Sequence, residues 1–259
     1  PFGAAILILA LILGSSLYPW IHDRGEMTGF KAMWLSYPFF LARAVFYLAL
    51  WFIFTKAILK TSRLQDDTRD MAETSRNIRL SVAFILVFAV TFSLASFDWV
   101  MSLEPHWSST IFGIYTFAGM FSSGLAAIIL LVVWLRSAGP LRDFVTDEHL
   151  HDLGKLLFAF AMVWAYLAFS QFLIIWSANL PEEIPWYQHR MHHGWEYVGF
   201  LLVFAHFAAP FAVLLARRTK RNAAVLAGMA LWLIGARVLD LFYLIGPDAY
   251  PEGPMVRWL

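Results

Sequence analysis

The chain has no cysteine and little charge, and each shortage removes whole classes of function. Without cysteine it offers no disulfide, no thiolate zinc site, no iron–sulfur ligation of its own, no covalently attached haem c and no cysteine nucleophile. Only 14% of its 259 residues are charged, against about 25% in an average soluble domain. The net charge of +1 gives no electrostatic reason to expect a nucleic-acid partner. What fills the space is apolar. The hydrophobic share is 60%, with 24 Phe and 12 Trp. The mean hydropathy is +0.65. A soluble single domain and an intrinsically disordered chain are both excluded, and lipid becomes the expected solvent.

Seven apolar stretches stand near the roughly 20 residues that cross a bilayer. They cover about 4–20, 38–59, 79–98, 111–135, 155–179, 195–216 and 224–246. In lipid every backbone polar group must be bonded inside its own segment, so these are read as helices. The expected fold is all-α, a single transmembrane helical domain over 1–259 with seven spans. The first residue is Pro1, and 4–20 has neither a basic region before it nor a small-residue cleavage site after it. It reads as a membrane helix with its upstream context missing, not as a signal peptide.

Basic residues set the orientation. Of the 19 Lys and Arg, 13 fall in the loops 56–79, 136–155 and 217–221. The alternate loops hold only Arg24, Lys31, Arg190 and Arg257, while Arg43 and Arg237 lie within helices. By the positive-inside rule the 13 face the cytoplasm, which puts the C-terminus outside. Trp20, Trp34, Trp99, Trp107, Trp176, Trp186, Trp195 and Trp258 gather at the outer ends, as an interfacial belt does. Small residues such as Gly119 and Ser123 mark close helix packing. The polar run 60–77 reads as a surface helix or an ordered hairpin.

Ionisable groups inside a span are costly, so each is a functional candidate. At 1.5 Å per residue, Arg43 lies about 8 Å in from the outer end of its helix, Gln171 about 12 Å, Asp240 about 9 Å and Arg237 about 14 Å, with His206 near the middle. Asp98 and Glu196 sit close to the outer ends. Arg237 and Asp240 share a helix face at i, i+3 and can neutralise each other, or Arg43 can compete for Asp240. Glu196 and His206 are nearly three turns apart and suit a proton ladder, although His206 could equally bond a neighbouring backbone or hydroxyl group. Asp98, Gln171, Glu196, His206 and Asp240 are the outer proton-path candidates, with Arg43 and Arg237 as charge partners. Asp147, Glu148, His149 and Asp152 are the candidates at the cytoplasmic end. Glu104, His106, Glu182, Glu183 and Trp186 in the outer loops are expected to face a protein partner.

Only one histidine, His206, lies well inside a span, which argues against a bis-histidine haem. His189, His192 and His193 have metal-like spacing but no obvious further ligand, so no metal is expected. No lysine follows Lys220, so the last span has no Schiff-base residue for retinal.

Two long segments carry a resemblance. They are SFDWVMSLEPHWSSTIFGIY from Ser96 to Tyr115, and HDLGKLLFAFAMVWAYLAFSQFLIIWSANLPEEIPWYQHR from His151 to Arg190. Together they resemble the ActF-type membrane subunit of bacterial alternative complex III, within the NrfD-like, polysulfide-reductase-type membrane anchors. The resemblance is strongest over about 80–215. It implies a two-bundle fold usually of ten spans, of which this sequence would be the later part. It also implies a bacterial inner-membrane complex that oxidises quinol or menaquinol. Haem c and iron–sulfur clusters would sit in periplasmic partner subunits, and a sister membrane subunit would carry the main quinol site. This chain would bind no cofactor, and would conduct protons or help frame the quinol site. A secondary transporter and a purely scaffolding anchor are the alternatives. A transporter would call for broken helices in matched positions around a midplane site, and no such pair is visible.

Overall fold

The computed structural model describes residues 18–22 and 27–254. The first expected span, 4–20, falls almost wholly outside the described residues. Among them every regular element is helical. Short helices α1 (Pro19–His22) and α2 (Gly29–Trp34) precede α3 (Tyr37–Thr68) and α4 (Met71–Trp99). Then come α5 (Phe112–Ala138), α6 (Asp147–Ala178), α7 (Ile184–Arg190) and α8 (Trp195–Val203). A π-helical turn (Phe204–Ala208) joins α8 to α9 (Ala209–Leu214), and α10 (Arg217–Arg221) and α11 (Ala223–Ala249) close the order. Six stretches among the described residues are long and apolar enough to cross a membrane: Tyr37–Thr68, Met71–Leu103, Phe112–Ala138, Asp147–Ala178, Trp195–Leu214 and Ala223–Ala249. The protein is thus an all-helical, multi-pass membrane protein.

Several helices outrun the apolar stretches, because hydropathy marks the part that needs lipid and caps mark where the helix stops. On α6 the helix starts at Asp147, eight residues before the expected span, with Thr146 and His149 forming a reciprocal capping box. On α3 it continues to Thr68 and ends on Arg69 in the left-handed region (φ 55°). Asp70 then caps α4 by accepting from the Ala72 amide.

The chain divides into two compact units, 1–105 and 106–259. In the first, α3 and α4 form an antiparallel hairpin joined through Arg69 and Asp70. The run 60–77 is therefore an ordered hairpin made of the ends of two membrane helices. Gln65 bonds Thr74 across the turn at 2.6 Å, and the Trp51 indole donates to Thr91 at 2.9 Å.

The second unit packs α5, α6, α8, α9 and α11 around Leu125, Ala126, Ile129, Leu157, Leu226, Ala230 and Leu233, all buried. Gly154 lets α10 approach α6, since a Cβ there would sit 3.0 Å from the Lys220 stem. The buried Lys220 donates to the carbonyls of Leu214 and Leu215, at the end of α9. The π turn has a local cause. Pro210 has no N–H for the His206 carbonyl four residues earlier, and its ring crowds that carbonyl. The Trp232 indole donates to the Ala205 carbonyl at 2.8 Å within the widened turn.

The tryptophans divide between lipid and core. Trp176 is exposed, but Trp20, Trp107, Trp186 and Trp195 are buried in the protein. These four belong to packing and do not form part of a lipid-facing belt.

Candidate functional site

Each unit buries one aspartate near the end of a span, and the two are held by the same kinds of donor. In the first unit Asp98, at the end of α4, is 1% exposed. Arg43 on α3 grips it with two bonds of 2.8 Å, from Nε to Oδ2 and from Nη2 to Oδ1. The Trp34 indole adds a bond of 2.9 Å to Oδ1, and the Tyr47 hydroxyl one of 3.1 Å to Oδ2. The Arg43 guanidinium also lies 4.0 Å over the Trp34 ring. Four donors fill the lone pairs a carboxylate offers, so Asp98 is built as a fixed anion.

In the second unit Asp240 on α11 is 0% exposed. It accepts from the Tyr115 hydroxyl on Oδ1, and from Arg237 Nη1 and the Trp164 indole on Oδ2, the last at 3.3 Å. Three donors leave Oδ1 with capacity for one more bond. Gly119 on α5 makes room for the Arg237 guanidinium, which a Cβ there would strike. His206 stacks on the far side of this cluster, its ring 3.9 Å from that of Trp164 with the planes 4° apart. It is fully buried, and neither ring nitrogen has a hydrogen-bond partner among the described residues.

These placements sort the residues expected from the sequence. Arg237 does pair with Asp240, while Arg43 is committed to Asp98 and does not compete for Asp240. Glu196 bonds the Gly194 amide at 2.9 Å and makes no ladder contact with His206, which is occupied by Trp164 instead. At the start of α6, Asp147 pairs with Arg136 at 2.9 Å, Asp152 with Lys155 at 2.7 Å, and Glu148 with Arg217 and Arg221. His149 is a helix cap. Those four residues are therefore exposed and engaged in ion pairs or capping. The hydroxyls of Thr91 and Ser93 donate to carbonyls of their own helix, and Tyr166 is exposed. In the loops 99–110 and 180–194 His106 and Glu182 are exposed, and Glu104 and Glu183 half-buried. Trp186 departs from its expected place on a partner surface: one face stacks on Trp107 with centres 4.8 Å apart, and the Arg190 guanidinium lies 3.8 Å over its ring.

Tyr115 and Trp164 form one wall of a cavity of about 710 Å³ within the second unit. Its lining also includes Gln171, Tyr187, Arg190, Glu196 and Tyr243. Arg190 is buried and donates to the carbonyls of Trp186, Tyr243 and Leu244. Burial pushes the Tyr187 phenol above its usual range, with Tyr243 adding to the effect, so its hydroxyl stays a donor. Sequence reading missed Tyr115, Trp164 and Trp34 as ligands of the aspartates. Their phenol and indoles read as ordinary apolar mass, and only the fold brings them to a carboxylate. Among the described residues no group of three or more His, Asp or Glu gathers as a metal site would. No family model and no curated protein matches the chain.

Proposed function

We propose that this chain is a membrane subunit, without a redox centre of its own, of a bacterial quinol:electron-acceptor oxidoreductase, similar to the ActF-type subunit of alternative complex III. In this reading it has seven spans, with 4–20 as the first, lies in the inner membrane and ends on the periplasmic side. It is the later part of a two-bundle NrfD-like fold. A sister membrane subunit carries the main quinol site, and periplasmic iron–sulfur and haem c subunits take the electrons. Support comes from the segments 96–115 and 151–190 and from the charge asymmetry of the loops.

The observation that carries a mechanism is the Asp240 cluster. A carboxylate buried at 0% exposure in a span costs several kcal/mol of hydration, and Arg237 offsets its charge. Tyr115 connects Asp240 to the cavity wall, and Glu196 lines the same cavity. When quinol is oxidised near the outer face its protons must leave there. Asp240 takes a proton on the open side of Oδ1, and Tyr115 and Glu196 pass it outward. His206, stacked on Trp164, steadies the indole that bonds Asp240. Asp98, with four donors, serves as a structural anion, and the ion-paired cytoplasmic acids take no part.

The test uses Asp240→Asn and His206→Leu in the assembled complex, in vesicles, with subunit composition as the control. Turnover or outward proton release falling at least tenfold in Asp240→Asn, with subunits retained, supports the relay. Wild-type values of both quantities in both variants overturn it and leave these residues with a packing role.

A further inference from the structure

The cavity between α6, α7, α8 and α11 has a polarity gradient along its length. At its deep end are Met162, Trp164, Ala165 and Phe207. At its outer end are Gln171, Tyr187, Arg190, Glu196 and Tyr243. From Met162 to Phe172 on α6 is ten residues, or about 15 Å, half of the roughly 30 Å hydrocarbon thickness of a bilayer. The volume falls among those of ordinary small-molecule sites. The mouth is formed by Tyr166, Phe169, Phe200 and Val203, all exposed on the flank of membrane-crossing helices. A molecule reaches the cavity sideways, from the lipid.

Gln171 is the second observation. It is 4% exposed, lines the cavity and makes no hydrogen bond to any described residue. Its amide, with two donors and an acceptor, is open to a partner inside the cavity. The charges around it are one cation and one anion, Arg190 and Glu196, already bonded to backbone groups. One cation and one anion give the outer end of the cavity no net formal charge, which suits a neutral head.

We infer that this cavity binds a neutral amphiphile from the outer leaflet, its hydroxylated head bonded to Gln171 and its hydrocarbon tail directed toward Trp164 and Phe207. The head both donates and accepts, as the amide requires. Two sources share this chemistry, a neutral acylglycerol and a long-tailed quinol. Occupancy requires no proton movement at Asp240, so it stands apart from the relay.

The probe is a monoacylglycerol with a diazirine in its acyl chain, photolysed in membranes holding the intact complex and mapped by mass spectrometry. Expected is labelling of the 162–172 and 200–207 peptides that falls at least fivefold in Gln171→Leu and in Ala168→Trp, which fills the lumen. Unlabelled monoacylglycerol or a decyl-tailed quinol displaces the probe, and whichever does so identifies the source. Phosphatidic acid, with its charged head, does not. Gln171→Leu is close in size to the native residue, so it keeps the test alive if Ala168→Trp fails to fold. Labelling unchanged in Gln171→Leu, or displaced by neither neutral competitor, overturns the inference.

Discussion

The Trp164 indole lies flat on the His206 imidazole, ring centres 3.9 Å and planes 4° apart, while its N–H donates to Asp240. One side chain thus fixes the position of a buried imidazole and completes the shell of a buried carboxylate. Trp164→Phe keeps an aromatic face for His206 and removes the N–H. A hydrogen bond to a charged group is worth about 1.5–3 kcal/mol, so a fall in stability of that size is expected. The measurement is the denaturation midpoint of the complex in detergent. Trp164→Leu loses the stack as well and should fall further. Equal midpoints for the two variants would mean that the stack contributes nothing.

Gly119 and Arg237 give an independent handle on the same cluster. A methyl at position 119 collides with the guanidinium, so Gly119→Ala must displace Arg237 from Asp240. Its effect on turnover should match that of Arg237→Gln, and the double variant should be no worse than either alone. Additive losses would show that Gly119 acts through something other than Arg237.

For the first unit a purely structural outcome is expected. Asp98→Ala leaves Arg43 buried without its anion, at a cost of about 3–5 kcal/mol. Replacing both, Arg43→Met with Asp98→Leu, removes the stranded charge and should recover most of the loss. Assembled complex per membrane protein is the readout, with turnover per assembled complex unchanged. Lower turnover in the correctly assembled double variant would give Asp98 a part in the chemistry.

The exposed acids at the start of α6 supply the contrast. Glu148 and Asp152 are exposed and paired with Arg221 and Lys155. Exposed pairs contribute little to stability. Glu148→Gln and Asp152→Asn should leave both turnover and outward proton release at wild-type levels. A deficit in proton release would reinstate them as a proton uptake route.

The helices were legible because lipid leaves the backbone no other choice, and the i, i+3 spacing of Arg237 and Asp240 was enough to foresee their pairing. The Arg43–Asp98 pair was not foreseen: the residues are 55 positions apart, and only the hairpin at Arg69 and Asp70 brings them into register. The placement of His206 relative to Glu196 depends on a feature present in the sequence but easily passed over. Pro210 converts the turn around His206 to a π turn, which breaks the 3.6-residue period on which a shared face depends. Trp20, Trp107, Trp186 and Trp195 leave the expected belt because an indole at a membrane edge fills a protein core as readily as a lipid interface, and composition does not separate the two.

The most direct measurement is purification of the native assembly through a tag on this chain in mild detergent, followed by identification of its subunits and addition of quinol. Expected are stoichiometric iron–sulfur and haem c subunits, with the haem reduced when quinol is added. Purification of the chain alone, or with partners that carry no redox centre, would contradict the assignment to a quinol oxidoreductase.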